Sequence, residues 1–187
     1  CECCSLRAFC AGQDLFIAYR KAEENVQRDM KFLYWHVHGD GALDEGGTAT
    51  DSFGGAWNQA EWHTEQCVMS SVSMAGDAGR VVIAFEDEGQ VLWARAECGK
   101  FRQPDNFGPP GKATARKYPS VAVDPHGQVA LAWSEDAGWN RGGKLAWQVF
   151  DADGKPIEGA RGGGQEIPTW SFAAACARAD GGFVIVY

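Results

Sequence analysis

An all-β fold built from a repeated antiparallel unit is predicted by three features of this 187-residue sequence. First, four stretches close on a small or branched residue followed by an aromatic: Ala18-Tyr19, Ala84-Phe85, Ala132-Trp133 and Val186-Tyr187. Second, a short apolar run precedes each of them across a Gly-bearing turn. The turns are Ala11-Gly12-Gln13-Asp14, Gly76-Asp77-Ala78-Gly79, Asp124-Pro125-His126-Gly127 and Asp180-Gly181-Gly182, the chemistry that tight hairpins need. Third, the chain is 45% apolar and 12% aromatic, with 24 Gly and 8 Trp, and few segments carry helical periodicity. A hairpin repeated at roughly fifty residues predicts a β-propeller of four-stranded antiparallel blades, present as a fragment of about three and a half blades.

Each element follows from this repeat. The whole chain, 1–187, is expected to be one partial propeller domain. Blade one is expected over about 4–66, blade two over 67–117 and blade three over 118–169. The start of blade four is expected over 170–187. The clearest hairpin runs from Tyr118-Pro119-Ser120-Val121 to Ala132-Trp133. A third strand marked by Trp follows in each full unit: Leu33-Tyr34-Trp35, Val91-Leu92-Trp93 and Leu145-Ala146-Trp147. The fourth strand reads as weak in every unit, and Gly162-Gly163-Gly164 reads as a loop between strands. Complete propellers close with roughly four to eight blades. The chain is therefore expected to be part of a propeller of roughly six or seven, since open sheet edges invite aggregation. A non-closing β-sandwich is the structural alternative.

Charge and hydropathy exclude several functions. The formal net charge is -8 and no run of Lys and Arg exceeds two residues, which argues against nucleic acid as a partner. No apolar stretch is long enough to span a bilayer. No P-loop, dinucleotide fingerprint or nucleophile elbow occurs, so no cofactor is expected. The Cys residues are Cys1, Cys3, Cys4, Cys10, Cys67, Cys98 and Cys176. They read as disulfides or buried thiols of a secreted or periplasmic protein. A lipid-anchored Cys1 and a zinc site at Cys1-Glu2-Cys3-Cys4 are the other readings. The zinc reading lacks a second C-x-x-C pair.

In propeller geometry, residues that begin first strands or follow second strands share one face of the disc. Ligand-binding candidates on that face are Arg20, Arg28, Tyr118 and Trp170, because guanidinium groups clamp carboxylates. The candidate catalytic carboxylates are Asp29, Glu86, Asp87, Glu135 and Asp136, because paired carboxylates perform acid–base chemistry in glycoside hydrolysis. Solvated salt bridges at the strand ends would use the same residues. His36 and His38 alternate on one strand and share a face. They suit a metal or a solvated outer strand. His63, Cys67 and Met69 suit a soft metal or redox site. No metal is assigned.

Four motifs carry a family resemblance: Cys1-Glu2-Cys3-Cys4 before the first hairpin, the Tyr19-Arg20 ending, the loop Asn25-Val26-Gln27-Arg28-Asp29, and Cys67-Val68-Met69-Ser70 at the next blade. With them the chain resembles the sialidase-like (BNR-repeat) β-propeller superfamily, in a bacterial branch with a C-x-C-C motif. Gln27 is an extra residue in the loop, and Val68 stands where that branch has Pro. The Asp-box of true sialidases is degenerate here, as Gly39-Asp40-Gly41 and Asp151-Ala152-Asp153-Gly154. The resemblance implies binding of a carbohydrate or other acidic small molecule, with Arg20 and Arg28 as carboxylate binders. If the protein is an enzyme, the resemblance implies an exo-sialidase-like glycoside hydrolase. Neither the third Arg nor the Tyr–Glu pair of true sialidases can be placed. A non-catalytic scaffold that binds another protein is the alternative. The resemblance also implies a disulfide from Cys67 to Cys3 or Cys4 and a location outside the cytoplasm.

Overall fold

The computed structural model describes residues 5–24, 26–37, 52–69, 71–100, 102–112, 115–138 and 140–187. Every regular element among them is a β-strand. No helix of the described residues is long and apolar enough to cross a membrane. The first sheet holds β1 (Arg7–Ala11), β2 (Asp14–Arg20), β3 (Met30–Val37) and β4 (Ser52–Ala60). The second holds β5 (Ser73–Gly76), β6 (Arg80–Asp87), β7 (Gln90–Glu97) and β8 (Asn106–Phe107). The third holds β9 (Lys117–Val123), β10 (Val129–Glu135), β11 (Gly143–Phe150) and β12 (Pro156–Ile167). A hairpin of β13 (Ala174–Ala177) and β14 (Phe183–Val186) forms the fourth. Within each sheet the strands follow chain order and pair antiparallel.

Asp residues build three of the turns by bonding their own loop. Asp124 Oδ1 accepts hydrogen bonds from His126 N at 2.9 Å and Gln128 N at 2.8 Å. Asp151 Oδ1 does the same for Asp153 N and Lys155 N, each at 2.9 Å. Asp77 Oδ1 serves Gly79 N at 2.8 Å and Arg80 N at 3.1 Å. These are side-chain mimics of a backbone turn. Between β6 and β7, Glu88 and Gly89 both adopt positive φ, 47° and 77°, the geometry that matches the strand twist in a two-residue hairpin.

The sheets stack in chain order. First strands neighbour one another: β1 lies beside β5, β5 beside β9 and β9 beside β13. Strand β6 is buried on both faces, as a sheet covered on each side requires. Val81, Ile83 and Phe85 pack with Phe16, Phe32 and Tyr34 of the first sheet. Val82 and Ala84 pack the other way, with Val121, Leu131 and Trp133 of the third. Ala132 and Leu145 then meet Ala173, with Ala175 and Ile185 of the fourth packed alongside. Serine hydroxyls stitch the first strands together. Ser73 Oγ accepts from Val121 N at 3.1 Å, and Ser120 Oγ accepts from Ala175 N at 2.9 Å. Ser73 and Ser120 occupy equivalent register positions, opposite Ala84 and Ala132. Ser5 Oγ accepts from Val72 N at 3.1 Å, in a shifted register.

Three expectations need correction. The Trp of the third strands is not one repeated position. Trp93 and Trp147 lie opposite Ala84 and Ala132, but Trp35 lies opposite Leu15. The residue opposite Ala18 is Phe32, which is fully buried while Trp35 is 47% exposed. A three-residue shift moves a side chain to the other face of a strand, so the aromatic spacing misled. The fourth strands are not uniformly weak: β12 has 12 residues, β4 has 9 and only β8, with 2, is short. Gly162, Gly163 and Gly164 belong to β12, with Gly163 paired to Ala146 and Gly162 to Trp147. Glycine is needed there for close approach. A Cβ on Gly163 would lie 2.1 Å from Leu145 O, and one on Gly162 would lie 2.8 Å from the Trp147 ring.

A polar cluster lies between the first two sheets at the end carrying the β1–β2 turn. Tyr34 Oη donates to Asp14 Oδ1 at 2.6 Å, and His36 Nδ1 lies 2.6 Å from the same oxygen. Burial alone would raise the Asp14 pKa, but the bonds from Tyr34 and His36 outweigh it and hold the carboxyl below its ordinary value. Burial, then the charge of Asp14, pushes the Cys98 thiol up to about 11. His38 lies outside the described residues.

Trp93 is fully buried, with ring centroids 4.6 Å from Phe107 and 5.4 Å from Phe150. Trp93→Ala is expected to cost about 3–5 kcal/mol, read as a lowered urea midpoint, whereas Trp35→Ala is expected to leave that midpoint nearly unchanged. A depressed carboxyl stabilises the fold above its ordinary pKa and loses that contribution as pH falls. Asp14→Asn is therefore expected to flatten the acid limb of the stability–pH curve below about pH 4. An unchanged limb would contradict this account.

Candidate binding site

The ends of the second strands bury polar or charged side chains. Arg20, Glu86 and Ser134 each follow the strand-end aromatic, and all three are buried. Strand alternation and the cover on both faces explain this: the residue after the strand-end aromatic turns to the other face, which a neighbouring sheet also covers. The Arg20 guanidinium spans the seam between the first two sheets. It donates to the carbonyls of Arg28 and Glu86 and lies 5.2 Å from the centroid of the Trp62 ring, within cation–π range.

Lys117 completes the cluster. Its Nζ donates to Glu86 Oε1 at 2.8 Å, Glu86 Oε2 at 2.9 Å and Val68 O at 2.8 Å. A β-bulge aims it there. Ala132 pairs with Ser120 and Ser134 with Lys117, so Tyr118 and Pro119 together face Trp133. Such a bulge bends the strand and redirects a side chain. Tyr118 accommodates it at φ 56°, a left-handed conformation that non-glycine residues rarely adopt. Met69 and Trp170, just before the other first strands, share this conformation at φ 43° and 67°. Strain of this kind gathers at functional segments.

Beside the Lys117–Glu86 pair opens a cleft of about 230 Å³, lined by Trp62, Thr64, Cys67, Met69, Glu86 and Lys117. Burial raises the Glu86 pKa, against the opposing charges of Lys117 and Arg20. Burial also raises that of Asp87, again opposed by Arg20. The Tyr118 hydroxyl is raised by burial and by Glu86. Glu86 thus lies against two cations, Lys117 and Arg20, that oppose the effect of its burial.

The other candidates fall into separate places. Arg28 is buried in the same seam; its amide donates to Trp62 O at 2.7 Å and its Nη1 to Gln27 O at 3.1 Å. Asp29 is buried, and its Oδ1 has no hydrogen-bond partner among the described residues. Glu135 is held on the far side of residues 115–117, by Arg116 Nε at 3.0 Å and Trp133 Nε1 at 3.2 Å. Asp136 is exposed in a turn at φ 55°. Tyr118 and Trp170 border a crevice of about 10 Å³, room for about one water. The structure therefore gathers Arg20, Arg28, Glu86 and Asp87, and separates Glu135, Asp136 and Trp170 from them.

Sequence reasoning missed Trp62, Lys117 and Arg116. The pair Arg116-Lys117 stands directly before Tyr118, and its alternation sends one cation to each side of the segment. Cys67 lines the cleft, but Cys1, Cys3 and Cys4 lie outside the described residues, and so does any bridge from Cys67 to Cys3 or Cys4. Among the described residues no group of three His, Cys, Asp or Glu is arranged to hold a metal ion.

Lys117→Met is expected to cost about 3–5 kcal/mol by leaving Glu86 buried and unpaired. Adding Glu86→Gln is expected to recover most of that loss. A carboxyl raised in the folded state stabilises when protonated, and that contribution is lost as pH rises through its folded pKa. The single variant should therefore unfold more easily with rising pH from the ordinary carboxylate range upward, and the double variant should not. Equal pH profiles would remove Glu86 as the cause. Compared with known proteins, no family model matches the chain, and no curated protein matches it.

Proposed function

We propose that this chain is part of a sialidase-like β-propeller that binds a carbohydrate or other acidic small molecule at the Trp62–Lys117 cleft. The propeller reading is supported by meander sheets stacked face to face in chain order, with their first strands side by side. The single observation that carries the binding reading is the composition of the cleft. An indole, a lysine ammonium, the Thr64 and Gln66 side chains and the Met69 thioether converge on about 230 Å³. Apolar walls with a few convergent polar groups are the usual makeup of a small-molecule site. An indole wall suits the apolar face of a sugar ring, and the Thr64 and Gln66 side chains beside it suit polar substituents of a ligand.

Binding without hydrolysis is the favoured form. Both oxygens of Glu86 are engaged by Lys117, and Glu135 Oε1 is engaged by Arg116 and Trp133. Glu86 and Asp87 are consecutive on β6, so their side chains leave on opposite faces. A carboxylate pair facing one bond from two sides is what glycoside hydrolysis uses.

The test is saturation-transfer NMR with 3′-sialyllactose, alongside turnover of a fluorogenic sialoside. Binding is expected in the unaltered protein, and Trp62→Ala is expected to weaken it at least about tenfold, without turnover in either. Turnover by the unaltered protein would establish the hydrolase reading. Absence of any transfer to sialosides or other acidic sugars would move the assignment to a protein-binding scaffold.

A further inference from the structure

One strand edge and one apolar groove lie open side by side at the fourth sheet. Strand β14 pairs with β13 along one edge, and among the described residues no strand pairs with the other. Beneath that free edge a groove of about 430 Å³ runs between the hairpin and the third sheet, lined by Ala130, Trp147, Val149, Ala160, Phe183 and Ile185. The lining carries no charged side chain. It continues the core in which Trp147 and Ile185 pack with Ala132, Leu145 and Ala173.

The neighbouring seam shows what such a groove takes. Ser73 Oγ accepts from Val121 N and Ser120 Oγ from Ala175 N, so Ser120 and Ala174 are equivalent positions. Three residues further along, Val123 pairs with Val129 and Ala177 with Phe183. Phe183 therefore stands where Val129 stands. Phe150 of β11 lies opposite Val129 and closes the seam between the second and third sheets on Trp93. Trp147 is the counterpart of Trp93, opposite Ala132 as Trp93 is opposite Ala84. Trp93 is fully buried beneath Phe107 of its own sheet and Phe150 of the next. Trp147 has Gly162 opposite it, where Trp93 has Phe107, and among the described residues nothing is paired to Phe183 on the free edge. Trp147 is accordingly only half-buried.

We infer that the free edge of β14 and this groove bind an extended segment of another polypeptide as an added antiparallel strand. A large apolar residue of that strand, best an aromatic, stands opposite Phe183 and covers Trp147. A second apolar residue, two positions earlier, stands opposite Ile185. Strand addition works through these two components: backbone hydrogen bonds along the edge, and pockets for alternate side chains. The edge itself is unprotected, since Phe183-Val184-Ile185-Val186 holds no Pro, charge or bulge, the devices that blunt exposed edges. A second copy of this chain does not fit through its own β14. Antiparallel edges are related by a two-fold axis normal to the sheet. That axis would put both third sheets on one side and drive β10 of one copy into β11 of the other. The groove shares no lining residue with the Trp62–Lys117 cleft, so failure of either reading leaves the other standing.

The experiment follows fluorescence anisotropy of a labelled peptide of about seven residues, one strand length, with Leu and Phe two positions apart and Thr elsewhere. The peptide is expected to bind. Replacing its Phe with Ser is expected to weaken binding at least about tenfold. N-methylation of the amides that face β14 is expected to weaken it similarly, and N-methylation of the outward amides to leave it unchanged. Ile185→Lys should weaken binding at least about tenfold. Val184→Lys, on the other face of the same strand, should not, with thermal melting checking that both variants fold. The peptide variants leave the protein unaltered, so they decide the question even where Ile185→Lys unfolds the hairpin. No binding, equal binding of the Ser and methylated peptides, or loss in Val184→Lys with retention in Ile185→Lys would overturn the inference. So would a dimer in sedimentation that Ile185→Lys disrupts, since a second copy would then hold the groove.

Discussion

Burial of β6 on both faces is the constraint on which the rest of the structure depends. A strand with one wet face needs alternation; a strand covered on both needs a continuous apolar run. Val81-Val82-Ile83-Ala84-Phe85 supplies it, sending alternate side chains into two different cores. Strand β10 repeats the arrangement between the second and fourth sheets, with Leu131 and Trp133 facing one and Ala132 the other. Each sheet is thereby wedged between its neighbours, and removing one would strip a face from the next. Large residues on one side, such as Phe85 and Trp133, alternate with alanines on the other, so that neighbouring sheets approach closely.

That wedge sets the electrostatics at its end. When an apolar second strand runs out, its next inward residue is still covered by neighbouring sheets. Arg20 and Glu86 occupy this position, and burying either alone would be costly. Arg20 meets the cost with carbonyl oxygens across the seam, and Glu86 meets it with Lys117. The bulge at Tyr118-Pro119 is what brings Lys117 into reach, so a strained backbone on β9 and a buried carboxylate on β6 are parts of one arrangement. The cleft beside them inherits its polarity from this compensation.

The hairpins, their turns and their chain-order assembly were legible in the sequence, because turn chemistry and strand periodicity are local. Asp124-Pro125-His126-Gly127 announces its own geometry. The third-strand aromatics were misaligned for a physical reason: Trp35 and Phe32 are three residues apart, and sequence spacing alone does not say which faces the core. The glycine run in β12 looked like a loop because its requirement is tertiary, the approach of Trp147 and Leu145. At the site, Arg20, Glu86 and Asp87 were found from their place after a strand-end aromatic, and Arg28 from the loop that follows the second strand. Lys117 and Arg116 were not, because a bulge decides where they point and a bulge has no fixed sequence mark. Trp62 lies after a fourth strand, where the repeat is least regular.

The short strand β8 shows how a repeat acquires local character. Its two residues still deliver Phe107 onto Trp93, the contact that the core between the second and third sheets requires. Beyond that contact the core makes no further demand, and residues 108–112 and 115–116 leave the sheet. Arg116 then anchors the returning chain through the carbonyls of Pro109 and Pro110, and through Glu135 of the next sheet. The outer strands of the third sheet are left facing solvent over a floor of glycine. In a stacked-sheet fold the inner strands are constrained by packing on both sides, while the outer strands are free to shorten or bulge. Open surface therefore arises at the outer strands, whereas the cations near the inner strands, Arg20, Arg116 and Lys117, are consumed in holding the sheets together.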